Sequence, residues 1–147
     1  YIERYGIKTR FGSTLTAVDG AGRRAWFKSA GPDGEVVTEQ AFDLLHVVPP
    51  QRSPDLVRNS ALANAAGWLD VDPETLQSPK FPDVFAVGDA ISASNAKTAA
   101  AVRKQAPVAA TNILAHLASQ PLAAAYSGYG SCPLTVERGK VILAEFG

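Results

Sequence analysis

The residues of this sequence best placed to hold a ligand are Phe81-Pro-Asp-Val-Phe-Ala-Val-Gly-Asp-Ala90. The apolar run at 84–87 has the pattern of a short buried strand. It would deliver a Gly-Asp pair to the carboxyl edge of a sheet, where open α/β sheets bind ligands. Gly88 lets a ligand come close to the backbone, and Asp89 can accept hydrogen bonds from the hydroxyls of a polyol. A lone Gly-Asp after a strand is as often an ordinary turn. Further on, Val102, Ala106, Ala109, Ile113 and Leu117 recur at three- and four-residue spacing. That spacing predicts a helix over 95–119 with one buried stripe, capped by Asn95 or Ser94, kinked at Pro107 and closed by Gln120-Pro121. Its N-terminus would present free N–H groups and partial positive charge to an electron-rich edge. Ala99-Ala-Ala101 keeps the first turn slim. The plainer reading is an alanine-rich buried helix.

Cys132 is the single thiol of the chain. A lone cysteine is more often a small buried hydrophobe than a nucleophile. Its setting, Ser127-Gly-Tyr-Gly-Ser-Cys-Pro133, suggests a shaped loop rather than a packed strand, and so an accessible sulfur. One cysteine allows no internal disulfide. His46 and His116 lack metal-ligand spacing; His46 reads as a satisfied core histidine and His116 as a solvent-facing helix residue. Trp26 and Trp68 read as packing residues. The sequence contains no Gly-x-Gly-x-x-Gly, phosphate loop or Gly-x-Ser-x-Gly elbow.

The elements that must position these groups fall into two patterns. At the start, 7–11, 14–18, 25–29 and 35–40 alternate like half-buried strands of a β-meander. Turns fall at Asp19-Gly-Ala-Gly22, with glycines expected at positive φ, and at Gly31-Pro-Asp-Gly34. Then Phe42-Asp-Leu-Leu-His-Val-Val48 is continuously apolar, as in a strand of a parallel sheet buried on both faces, and Pro49-Pro50 ends it. Residues 51–80 are loop-rich, with a helical turn at 55–59 and a turn at 71–75. After the helix, strand pattern returns around Cys132. The 147 residues are 46 % apolar, with 14 Lys+Arg against 14 Asp+Glu. That balance argues against a nucleic-acid partner, which normally requires a basic excess. No apolar run approaches the roughly 20 residues that span a bilayer. With no methionine and Tyr1 at its start, the chain is expected to be a piece of something larger.

The string 81–90 resembles the second flavin motif of the two-dinucleotide-binding-domain flavoproteins. Together with 97–107, Gly128-Tyr-Gly-Ser-Cys-Pro-Leu134, Lys140-Val-Ile-Leu-Ala-Glu-Phe146, Val48-Pro-Pro-Gln51 and the segment 63–72, it resembles the sulfide:quinone oxidoreductases, in particular the branch that includes the mitochondrial enzymes. The likeness runs from about His46 to the end. It implies an α/β fragment of a two-dinucleotide-binding-domain flavoprotein: a β-meander, parallel-sheet strands and one long kinked helix. Residues 1–45 would close the second, NAD-like nucleotide-binding domain, 46–120 the FAD-binding domain, and 121–147 would open a redox or interface region.

The resemblance further implies a parent enzyme that oxidises sulfide and passes electrons through a cysteine pair and FAD to a quinone. Asp89 would hold the ribityl chain beside Gly88, Lys97 and Thr98 would meet the flavin, and Cys132 would be the C-terminal redox cysteine. The partner cysteine and pyrophosphate-binding glycines would lie outside this chain, as would the segments that bring the parent to the periphery of a quinone-containing membrane. Alone, the chain is expected to lack FAD and activity and to self-associate through uncovered apolar surface. Other flavoproteins of the superfamily, sulfide dehydrogenase or NADH:quinone reductase, share the Gly-Asp strand but are not expected to carry the Ser-Cys-Pro-Leu loop. A non-catalytic, flavoprotein-associated binding module is the alternative from another class.

Overall fold

The computed structural model describes residues 1–94 and 97–147. The chain divides into two units, Tyr1–Pro50 and Gln51–Gly147.

The first unit is the β-meander. Strands β1 (Ser13–Asp19), β2 (Arg24–Gly31) and β3 (Gly34–Ala41) form an antiparallel sheet in chain order. In the first turn the Asp19 Oδ1 accepts the Gly22 N–H at 2.9 Å. The residue driven to positive φ there is Arg23, at 52°, rather than either glycine. In the second turn Gly34, at φ 126°, does take the conformation open to glycine. Cross-strand ion pairs link Arg24 to Glu39 and Lys28 to Glu35. Residues 7–11 do not form the expected strand.

Two expected parallel-sheet strands are absent as strands. Residues 42–48 make no ladder and are mostly exposed, His46 among them, so it is not a core histidine. Residues 84–87 contribute one antiparallel bridge, from Phe85 to Gln77. An apolar run records that a strand is buried but not which strand covers it. Among the described residues the one parallel pairing is the Leu69–Ile91 bridge: the Leu69 N–H donates to the Ala90 carbonyl and its carbonyl accepts the Ser92 N–H, both at 2.9 Å. The α/β class holds as one long helix with antiparallel sheets.

The second unit is organised on α2 (Ala99–Leu117). Thr98 caps it, its Oγ1 accepting the Ala101 N–H at 3.1 Å. Of the two expected caps, Ser94 lies before the helix start and does not cap it, and Asn95 lies outside the described residues. The helix runs across Pro107, which has no N–H to offer the Arg103 carbonyl. Ser119, at φ 54°, ends it in the left-handed conformation. The Gln120 N–H then bonds the Ala115 carbonyl and the Ser119 N–H that of His116.

The buried stripe differs from the expected one. Ala101, Gln105, Ala109 and Asn112 are buried, whereas Ala106, Ile113 and Leu117 face out. Two amides take core positions because each satisfies specific backbone groups, Gln105 the buried Gly88 N–H and Asn112 the half-buried Thr75 and Ala124. Asn112 Nδ2 donates to the carbonyls of Thr75 and Ala124 at 3.0 and 2.9 Å, and its Oδ1 accepts the Ala124 N–H at 3.1 Å. Around this face gather Val71, Leu76, Ile91, Ala93 and Tyr126. His116 is half-buried rather than solvent-facing: its Nε2 lies 2.8 Å from Asp83 Oδ1 and its ring meets Phe85 edge-on.

A short helix α1 (Asp55–Arg58) and a hairpin, β4 (Gly130–Glu137) with β5 (Lys140–Phe146), complete the unit. The helical turn at 55–59 and the turn at 71–75 are both present.

Asp72 supplies a test of this packing. Its Oδ1 accepts the backbone N–H groups of Thr75 and Glu74 and the Thr75 hydroxyl. The Thr75 N–H foremost holds its carboxyl below the ordinary 3.8. A depressed folded pKa gives stability that is present above the ordinary value and lost as pH falls through the folded one. Asp72→Ala is therefore expected to lower stability near neutral pH, with variant and wild type converging in acid, as followed by urea unfolding across pH. Asn112→Ala, which removes the partner of the half-buried Thr75 and Ala124 carbonyls and of the Ala124 N–H, is expected to cost about 1–3 kcal/mol at any pH.

Candidate functional site

Gly88-Asp89-Ala90 form a single 3-10 turn. Gly88 is buried at φ +82°, a conformation L side chains rarely adopt, and a Cβ there would lie 3.3 Å from Val102 Cγ2 on α2. Its N–H donates to Gln105 Oε1 at 2.8 Å. The glycine is thus required twice, for its dihedral and for the close approach of the helix. This turn carries Asp89 to the surface, into an open cleft of about 330 Å³ lined also by Gln51, Arg52, Pro54, Trp68, Ala90 and Lys97.

Lys97 stands just before the Thr98 cap. Its Nζ donates to the Ile91 carbonyl at 3.2 Å and lies 3.9 Å from the centroid of the Trp68 ring. Arg52 Nη2 contacts Asp55 Oδ1 at 2.5 Å. The cleft therefore sets one carboxylate against two cations and a helix N-terminus whose first turn has no acidic residue. Such a site can accept hydrogen bonds from hydroxyls through Asp89 and attract an electron-rich or anionic edge through Lys97.

Of the five residues singled out from sequence, Asp89 and Lys97 are brought together in this cleft. Gly88 supports it from below, and Thr98 caps the helix at its edge. Cys132 does not line it. The thiol is half-buried on β4, with Ala144 as its cross-strand partner, so it sits on a ladder and not in a shaped loop. Pro133 beside it is tolerated because the hairpin has a free edge. Trp68 is the lining residue that sequence reasoning assigned to plain packing, and Gln105 the support it missed. A lysine next to a helix N-cap, where the helix dipole disfavours it, was the available signal for a compensating ring nearby. Among the described residues no three His, Cys, Asp or Glu side chains gather as a metal site.

With this geometry in hand, the chain can be set beside known proteins. No family model matches it. A chain in the cryo-EM structure of the Tetrahymena thermophila mitochondrial ATP synthase superposes with a TM-score of 0.77 at 26 % identity, over 98 % of this chain and 34 % of that one. An FAD-dependent oxidoreductase of Flammulina velutipes is 36 % identical over 37 % of this chain. Agreement is far more extensive with mitochondrial sulfide:quinone oxidoreductases. That of Schizosaccharomyces pombe is 44 % identical over 95 % of this chain, and that of Dictyostelium discoideum 39 % over 96 %. The Mus musculus protein is 44 % identical over 71 %. The chain belongs to the sulfide:quinone oxidoreductase family, and it spans 23–30 % of the length of these curated relatives.

Gly88→Ala tests the turn. It is expected to destabilise the unit by about 1–3 kcal/mol through the left-handed dihedral and the contact with Val102. Adding Val102→Ala relieves the contact alone, so urea unfolding of the double variant should recover only part of the loss. Full recovery would show that the dihedral carries no strain.

Proposed function

We propose that this chain is the C-terminal part of a sulfide:quinone oxidoreductase and supplies half of its FAD site and one of its two redox cysteines. The observation that carries the reading is the convergence of Asp89 and Lys97 on one cleft, beside a glycine turn and a helix N-terminus. The residues present suit FAD: a carboxylate for a polyol, a slim backbone turn for close approach, and positive charge for the electron-rich edge of a ring. When bound, FAD supplies the two-electron chemistry that links sulfide to quinone.

This chain's own contributions are then separable. Asp89 orients the ribityl hydroxyls, Lys97 and the N-terminus of α2 favour negative charge on the ring, and Thr98 fixes where that helix begins. Cys132 exchanges sulfur with a second cysteine outside this chain. Hydrosulfide attacks the disulfide between them, one S–S bond forms as the other breaks, and the thiolate released carries the electron pair onward. Quinone, taking two electrons and two protons, is the final acceptor. On this reading residues 1–45 close an NAD-like domain, 46–120 the FAD domain and 121–147 open the interface region. Residues 42–48 and 84–87 become strands of a parallel sheet once neighbours from the rest of the protein flank them. On the same reading membrane contact at the periphery comes from other segments; no described helix here is long and apolar enough to cross a bilayer. The isolated chain holds no FAD and self-associates.

Two variants of the full-length protein test this. Asp89→Ala is expected to weaken FAD binding about 10- to 150-fold, the loss of a charge-assisted hydrogen bond, measured as flavin content and affinity. Cys132→Ser is expected to abolish sulfide-dependent quinone reduction while the protein stays folded and yellow. Near wild-type turnover in the serine variant would refute the role of Cys132. A colourless full-length protein would favour a non-catalytic binding module.

A further inference from the structure

Lys97 stands where a helix does not favour a cation. It precedes the capping residue Thr98, and no acidic side chain occupies the first turn of α2. Its ammonium and the partial positive charge of the helix end therefore repel. Two contacts nonetheless hold it, the Ile91 carbonyl at 3.2 Å and the Trp68 ring at 3.9 Å from its centroid. The second is well within the roughly 6 Å over which a ring face attracts a cation.

Trp68 cannot follow a wandering lysine. Its main-chain N–H donates to Asn64 Oδ1 at 3.1 Å, and its carbonyl accepts the Asn64 main-chain N–H at 2.8 Å. The next residue, Leu69, is bonded to Ala90 and Ser92 on either side of Ile91. The segment carrying the ring and the segment carrying the carbonyl are thus fastened to each other. Together they form one fixed seat for one ammonium, at the wall of the cleft that Asp89 also lines.

We infer that Trp68 is a positioning residue of this cleft: its indole face, with the Ile91 carbonyl, sets the Lys97 ammonium where it meets the electron-rich edge of the bound ligand. The inference rests on the reading of the cleft as part of an FAD site. It explains why an indole stands here rather than any large apolar side chain. A leucine would fill space but attract no cation. Without the ring, a flexible four-carbon stem repelled by the helix end turns to water, and the cleft keeps only Arg52 of its two cations although Lys97 is still in the sequence.

The test is a double-mutant cycle on FAD affinity in the full-length protein, titrating FAD into flavin-stripped protein and following flavin fluorescence. Trp68→Leu is expected to weaken binding about 2- to 30-fold, the span of a cation–π contact from exposed to desolvated. Lys97→Met should lose at least as much, and the double variant no more than Lys97→Met alone. Losses that multiply would mean that Trp68 acts independently of Lys97, and the inference falls. Should Trp68→Leu fail to fold, incorporation of fluorinated tryptophan keeps the shape and weakens the ring's attraction for a cation. FAD affinity should then drop about 2- to 5-fold in the wild type and not change in Lys97→Met; equal drops in both overturn the proposal. The underlying reading fails separately. If Lys97→Met and Asp89→Ala both bind FAD like wild type, the cleft is not a flavin site. If those two lose affinity while Trp68→Leu and fluorination do not, the site stands and the role of Trp68 falls.

Discussion

The hydrogen bond from the Gly88 N–H to Gln105 Oε1 is the contact on which the arrangement of the second unit turns. It is buried at both ends, so the amide on the helix and the strained turn each satisfy a group that would otherwise be desolvated without a partner. It also decides the rotamer sense of the glutamine: Oε1 must face the donor, which leaves Nε2 buried with no protein acceptor. An apolar side chain in place of Gln105 would remove that orphan but leave the Gly88 N–H unmet. Seven residues along the same face, Asn112 performs the same service for Thr75 and Ala124. The core face of α2 is therefore built around two amides that register loops against it, more than around aliphatic bulk.

That choice explains which parts were legible in the sequence. The meander, the helix and the Gly-Asp turn are local patterns: alternation, three-to-four spacing, and a glycine before an acid after an apolar run. Apart from the strand expected at 7–11, they appear close to where the pattern puts them. What failed was the assignment of faces. Ile113 and Leu117 carry the apolar side chains, so hydropathy made them core, yet Gln105 and Asn112 hold the buried positions because they answer specific backbone groups. Periodicity identifies a face without naming what the opposing surface needs. The same limit applies to 42–48 and 84–87, where the apolar run specifies burial but the covering strands are not in this chain's described residues. Cys132 was judged from flanking glycines, and those glycines lie at or before the start of β4, not around a loop that holds the sulfur.

The electrostatics of the cleft follow from the same economy of positions. The helix end, Lys97 and Arg52 place positive charge near Asp89, the carboxylate that lines the cleft, and Arg52 is already paired with Asp55 outside that lining. A lysine at that point is tolerated only because the structure offers it a ring and a carbonyl. Charge placed against its local preference, and held by two independent contacts, is the kind of local conflict that marks a site shaped for a ligand more than for stability.

α2 links that cleft to the sulfur at a distance along the chain. Its first turns sit on the Gly88–Ala90 turn, and it also packs on β4. Asn112 pins the approach to the hairpin at Ala124, Lys104 lies over the Tyr129 ring at 5.9 Å, and the Tyr129 hydroxyl donates to Glu145 on β5 at 2.7 Å. Gly130 and Ser131, which open β4, are buried beneath these contacts. The strand bearing Cys132 and the turn bearing Asp89 are in this way referenced to one rigid element. In the register of the hairpin Cys132 pairs with Ala144, and Leu134 with Ile142. Alternation along the strands therefore puts the thiol on the same face as these aliphatic side chains. Leu134 and Ile142 are 51 % and 45 % exposed. A sulfur set in an apolar face, on a ladder tied to the helix that also frames the cleft, has little backbone freedom of its own. If Cys132 exchanges sulfur with a second thiol as proposed, its place on the ladder favours that partner's approach over movement of Cys132.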